Sequence, residues 1–213
     1  MIANLLTLAA LASSLVYIAT LKNEPDTLHY VLKPLTTLLI AGLALAIETP
    51  ISNSYRWLVI AGLLCSLAGD VFLMLPGERT FVPGLASFLV AHLFYIAAYR
   101  TRGEFGFTWW LAALYLAYAA TLLYLLWPHI GPVRIPVVVY AAVLMVMGWQ
   151  AAEMWLTWRD WSALAAMLGA ILFLLSDSTL SLNKFRAPVA QSSVIIMSTY
   201  WAAQLLIAWS VRG

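Results

Sequence analysis

Charge is what this sequence has least of. Only 9% of its 213 residues are Asp, Glu, Lys or Arg and 64% are hydrophobic, whereas soluble domains carry ~25% charged residues. That shortage excludes an ordinary water-soluble fold. The net charge of +2 argues against a nucleic-acid partner, which is held by many cations. A lone cysteine, Cys65, excludes a disulfide framework, and its apolar span makes it a packing residue. Three histidines, His29, His92 and His129, fall in unrelated places and exclude most all-histidine metal cages. There is no His-Glu-x-x-His motif and no glycine-rich phosphate loop, and Gly84 and Ser87 lack the second glycine of a nucleophile elbow. No metal or cofactor is expected.

What the chain has is long apolar runs. A spanning helix takes ~20 apolar residues, and eight candidates follow one another at 2–21, 28–47, 54–75, 80–99, 107–127, 135–158, 161–182 and 189–211. Turn and charge signals separate them, from the break at residues 22–26 to the one at 183–186. The first run has no basic stretch before it and is long enough to cross, so it is expected as a helix and not as a signal peptide. The expected fold class is all-α: a polytopic protein with eight transmembrane helices forming a single integral membrane domain over residues 1–213.

An even count puts both termini on one side, side A, with Arg56, Arg100, Arg102, Arg159 and Arg212. Side B holds Lys22, Lys33, Arg79, Arg134, Lys184 and Arg186. Five cations against six only lean side B towards the cytoplasm. Trp57, Trp109, Trp110, Trp155, Trp158, Trp161 and Trp209 cluster at span ends on side A, as an interfacial belt. The surroundings of Asp70 resemble those of Asp177, 107 residues later and half a chain away. Lys33 and Pro34 recur as Arg134 and Pro136 at about that offset. These matches suggest a parallel repeat of four plus four helices, with chance similarity between apolar segments at least as good a reading.

Carboxylates inside a bilayer cost about 2.5–3.5 kcal/mol each and mark function by default. Asp70 and Asp177 each lie about a turn and a half from the side B end of their helices, and Lys33 reaches the same depth. Glu153 lies near side A and stands outside this group. One Asp–Lys pair is explained as a structural lock, but a second acid has no cation. Helical spacing adds possible cavity faces: Gly62, Ser66, Gly69 and Asp70; then Gly84, Phe88, His92, Tyr95 and Tyr99; then Ser193, Tyr200 and Gln204. Gly62 and Gly169 read better as close helix packing. His92, near mid-membrane, reads better as a satisfied core histidine than as a catalyst, and for Tyr200 and Gln204 hydrogen bonding between helices is an equal reading.

These residues resemble a known family. Lys33, Pro34 and Thr36, then Gly69 and Asp70, then Phe81, Gly84, Phe88, His92 and Tyr95, then Ser176, Asp177, Ser178 and Asn183, then Tyr200 and Gln204 are similar to the pattern of the YhhN family of membrane lysoplasmalogenases. The resemblance implies eight transmembrane helices and hydrolysis of the vinyl ether bond of lysoplasmalogens. The implied products are a fatty aldehyde and glycerophosphoethanolamine or glycerophosphocholine. Asp70 and Asp177 match the family's two acidic positions and are the expected catalytic pair. Lys33, His92, Tyr95, Asn183, Tyr200 and Gln204 are the expected substrate-binding set. Lys184 and Arg186 at the rim suit a phosphate-bearing headgroup.

The expected partners are a lysophospholipid substrate and membrane lipids, and the expected place is a bacterial cytoplasmic (inner) membrane. A competing reading is a small proton-coupled transporter, since paired intramembrane acids also mark ion pathways. A diaspartyl protease is disfavoured, because Asp70 follows Ala68 and Gly69, and Asp177 follows Leu175 and Ser176.

Overall fold

A computed structural model describes residues 1–21, 27–104 and 106–213, and the expected break at 22–26, with Lys22, lies outside them. Eight helices long and apolar enough to cross a membrane are present among the described residues. They are α1 (Ile2–Thr20), α2 (Thr27–Ala46), α3 (Asn53–Met74), α4 (Phe81–Arg100), α5 (Trp109–Leu126), α6 (Arg134–Trp158), α7 (Trp161–Ser181) and α8 (Ser192–Trp209). Spanning segments take this form because the hydrocarbon layer offers backbone groups no other partner.

The ends are set by local chemistry. Ser52 caps α3 by accepting from the Tyr55 amide at 3.0 Å, and Asp160 caps α7 by accepting from the Ala163 amide at 2.9 Å. Only Arg159 and Asp160 separate α6 from α7, and Arg159 takes a left-handed conformation at φ 53° to make that turn. Helix α7 runs on into a π turn over Leu182–Arg186. There the Asn183 side chain accepts from the Val189 amide at 2.9 Å. With Gln191 also at positive φ, this turn delays the last helix to Ser192, three residues later than its apolar run begins.

Six helices close a ring in the order α2, α3, α4, α6, α7, α8, with α8 returning to α2. Helix α1 packs outside on α2 and α8, and α5 packs outside on α6. Burial follows this plan: α5 buries only Leu111 and Leu126, while α6 buries one face almost from end to end. The C-terminus pairs with the α2–α3 connection through Ile51–Val211 and Gly213–Thr49 backbone bonds. Arg102 clasps Asp160 at 2.6 Å between the α4–α5 and α6–α7 connections. Both ties lie on side A, as an even number of crossings requires. The Arg102 guanidinium holds the Asp160 carboxyl below the ordinary aspartate range.

The two halves repeat one another. Ile2 and Trp109 start α1 and α5, and Thr27 and Arg134 start α2 and α6, each pair 107 residues apart. Neighbour relations repeat too: α1 on α2 as α5 on α6, α3 on α4 as α7 on α8, and α4 on α6 as α8 on α2. Gly62 and Gly169, also 107 apart, sit at equivalent crossings. A Cβ on Gly62 would stand 2.3 Å from the Tyr95 ring, and one on Gly169 would stand 2.9 Å from the Ala203 carbonyl. The match of Lys33 with Arg134 does not survive this register. The residue 107 positions after Lys33 is Tyr140, because the repeat is counted from helix starts and not from prolines.

Candidate functional site

Inside the ring lies a cavity of about 260 Å³ lined by Lys33, Asp70, Tyr140, Asp177 and Tyr200 among mainly apolar side chains. Its walls run out to Leu21, Phe81, Lys184 and Phe185, which stand at the side B ends of their elements. Leu85, Leu122, Leu126, Val137 and Leu144 line its apolar flank. Phe88, Phe173 and Tyr200 meet edge to face, with centroids 5.5–6.2 Å apart, next to Asp70.

Asp70 is bonded on both oxygens. Lys33 Nζ stands 3.4 Å from Oδ1, while the Thr37 and Tyr200 hydroxyls donate to Oδ2 at 2.8 and 2.7 Å. Its residue exposure is 1%. Thr37 is one turn from Lys33 on the same face of α2, so that helix offers a cation and a hydroxyl together. Asp177 is more open and, among the described residues, has a single partner, the Tyr140 hydroxyl, which donates to Oδ2. Next to it the Tyr118 and Ser178 hydroxyls share a hydrogen bond of 2.7 Å, tying α5 to α7.

The other expected residues take different places. Tyr95 donates to Gln204 Oε1 at 2.7 Å and lies 3.4 Å from the Ser66 hydroxyl, deeper in the bundle than the cavity. His92 is fully buried against Phe173 and Tyr140, with neither ring nitrogen hydrogen-bonded among the described residues. Asn183 is spent on the π-turn loop and is not part of the lining. Of the eight expected site residues, the structure gathers Lys33, Asp70, Asp177 and Tyr200 around one space.

Sequence reasoning missed Thr37 and Tyr140. Both carried a signal: Thr37 follows Lys33 by one helical turn, and Tyr140 relates to Lys33 as Asp177 relates to Asp70. Glu153, set aside on depth, is tied at side A to Thr108 and the Trp149 indole. Among the described residues, no three His, Cys, Asp or Glu side chains come together as a metal site.

The chain also has known relatives. A sequence model described as the YhhN family matches residues 28–211. A protein of Escherichia coli named "Uncharacterized membrane protein YhhN" is 31% identical over 187 residues, 88% of each chain. Human "Lysoplasmalogenase TMEM86A" is 41% identical over 157 residues, covering 71% of this chain and 64% of its own. Human "Lysoplasmalogenase TMEM86B" is 36% identical over 182 residues, covering 84% of this chain and 73% of its own. No solved structure matches.

Proposed function

The chain belongs to the YhhN family, and from that premise we propose that it hydrolyses the vinyl ether bond of a lysoplasmalogen through Asp70 and Asp177. The observation that carries this reading is the pair of carboxyls from α3 and α7 lining one mainly apolar cavity that reaches side B. The names of the TMEM86A and TMEM86B relatives, both lysoplasmalogenases, support the substrate class.

The chemistry suits such a pair. A vinyl ether breaks when its β carbon is protonated, which leaves an oxocarbenium ion on the carbon bearing oxygen. Water adds to that ion, and the resulting hemiacetal falls apart into aldehyde and alcohol. One carboxyl must hold a proton for the first step. The other must be ionised to stabilise the cation and take a proton from water. Glycosidases divide the same two duties between carboxyls facing an oxocarbenium-like centre. The apolar flank suits one alkenyl chain, and Lys33 with exposed Lys184 suits a phosphate-bearing headgroup.

The test is aldehyde release from purified protein given 1-alkenyl-glycerophosphoethanolamine. Turnover is expected, and the matching 1-acyl lysophospholipid should remain intact, because an ester has no enol ether carbon to accept the proton. Equal cleavage of the ester overturns the reading. Absence of aldehyde combined with proton-coupled uptake by proteoliposomes would move the protein to the transporters.

A further inference from the structure

We propose that the two aspartates have fixed and different duties: Asp177 is the general acid, Asp70 is the ionised partner, and Tyr140 is the positioning residue that aims the Asp177 carboxyl. The proposal rests on the hydrolase reading and adds to it which acid gives the proton.

The argument starts from the repeat. Asp70 and Asp177 occupy the same position on α3 and α7, and the residues facing them, Lys33 and Tyr140, occupy the same position on α2 and α6. The fold therefore presents one site twice, with an ammonium in one copy and a phenol in the other. Near Asp70, one cation and two hydroxyl donors reach both oxygens, which is the environment of a carboxylate, and Oδ1 keeps room to accept a proton. Near Asp177, a single hydroxyl binds Oδ2, and Oδ1 has no partner among the described residues. The titratable groups sharing the cavity with Asp177 are Tyr17, Lys33, Asp70, Tyr140, Lys184 and Tyr200. Of its two cations, Lys33 is engaged by Asp70, and exposed Lys184 lies 4.4 Å over the Phe81 ring at the rim. A second negative charge here would have no cation of its own. The neutral form of Asp177 needs none, and its proton on Oδ1 faces the open space.

Tyr140 sets that direction. Its hydroxyl fixes Oδ2, and its ring is buried against His92, with centroids 5.3 Å apart. With Oδ2 held, Oδ1 is the oxygen left for the cavity that Asp177 lines. The cycle then balances. The Asp177 O–H bond breaks as its proton joins the β carbon, using the π pair of the alkene. Water bonds to the oxocarbenium carbon and gives a proton to Asp70. The C–O bond to glycerol breaks as Asp70 returns that proton to the departing oxygen, and the hemiacetal hydroxyl returns one to Asp177. Both acids end as they began.

The experiment measures steady-state aldehyde release by the full-length protein carrying Tyr140→Phe, Tyr140→Met or Tyr140→Lys. The Phe and Met variants lose the pin on Oδ2, so kcat should fall by roughly 10²-fold with KM unchanged. The Lys variant copies the Lys33 site and makes Asp177 a second paired carboxylate. Its rate should fall further, towards the roughly 10²–10⁴-fold that loss of a general acid costs on top of misplacement. A Lys variant as active as the Met variant overturns the assignment, as does a Phe variant with wild-type kcat.

Should the Lys variant fail to fold, the pH profile of the Phe variant decides. Only the alkaline limb, set by the group that must be protonated, should move, and movement of the acidic limb overturns the proposal. A wild type that releases no aldehyde sinks the hydrolase reading itself, whereas failure of this assignment is read only against an active wild type.

Discussion

The two halves of this molecule share one architecture and differ where chemistry is done. Helices α1 to α4 and α5 to α8 start in near-equal register, cross at equivalent glycines and place one aspartate each at the same depth. Yet Asp70 is enclosed by Lys33, Thr37 and Tyr200, while Asp177 meets only Tyr140 among the described residues. A repeat supplies two carboxyls facing one space without effort. Changing their neighbours is then enough to make a matched pair unlike. The same happens at the helix starts, where α3 is capped by a neutral serine and α7 by an aspartate that also binds Arg102.

The largest expected effect comes from removing the acids one at a time. Asp70→Asn and Asp177→Asn keep the side-chain volume but can neither donate a carboxylic proton nor carry charge. Each should cost at least about 10²–10⁴-fold in aldehyde release while leaving an extractable, folded protein. If either variant kept near-normal turnover, that half would be structural only and the comparison would reduce to packing.

The next effect tests whether the halves also match in packing. Gly62→Ala and Gly169→Ala should each lower stability by about 1–3 kcal/mol, seen as a lower thermal midpoint in detergent. At Gly62 the obstacle is the Tyr95 ring, held by its bond to Gln204, and at Gly169 it is the backbone of α8. Gly42→Ala is the control, since its nearest neighbour would be Leu6 at an ordinary 3.7 Å. It should be neutral or stabilising, as alanine exceeds glycine in helix preference. Tolerance of alanine at 169 but not at 62 would show the crossings to be unlike.

The smallest effect separates the two caps. Ser52→Ala and Asp160→Ala should each cost about 1 kcal/mol through the lost cap. The aspartate adds less than about 1 more from its ion pair, because its carboxyl is 43% exposed and solvent screens it. In the fold its carboxyl titrates below the ordinary aspartate value of about 3.9. The charge-dependent contribution is therefore full above that pH and is lost as pH falls through the lower folded value. Thermal midpoints taken down a pH series should show the Asp160→Ala deficit shrinking in acid and the Ser52→Ala deficit constant. Parallel curves would mean that Arg102 contributes nothing.

Much of this was legible in the sequence. The eight runs became eight helices, and the shared depth of Lys33, Asp70 and Asp177 became one cavity. Tyr200 also joined them. Asn183 is expected from the resemblance, yet its side chain serves the loop after the π turn, where it accepts from the Val189 amide. His92 and Tyr95 lie on the expected stripe of α4, but they stand further from side B than Phe88, which lines the cavity, and they meet the packed interior of the ring. Tyr140 lay in plain view at the right offset and was overlooked, since a tyrosine in an apolar run looks like packing.

The sequence by itself determined how many times the chain crosses and how deep each polar group lies. Apolar length sets the crossings, and the rise of about 1.5 Å per residue sets depth once the helix ends are known. It could not determine which way each helix faces. That angle is set by how side chains interlock between neighbours, at crossings such as Gly62 on Tyr95 and Gly169 on α8. Only the tertiary structure therefore decided that Thr37 and Tyr200 turn towards Asp70, that Tyr140 turns towards Asp177, and that two acids at equal depth live in unequal surroundings.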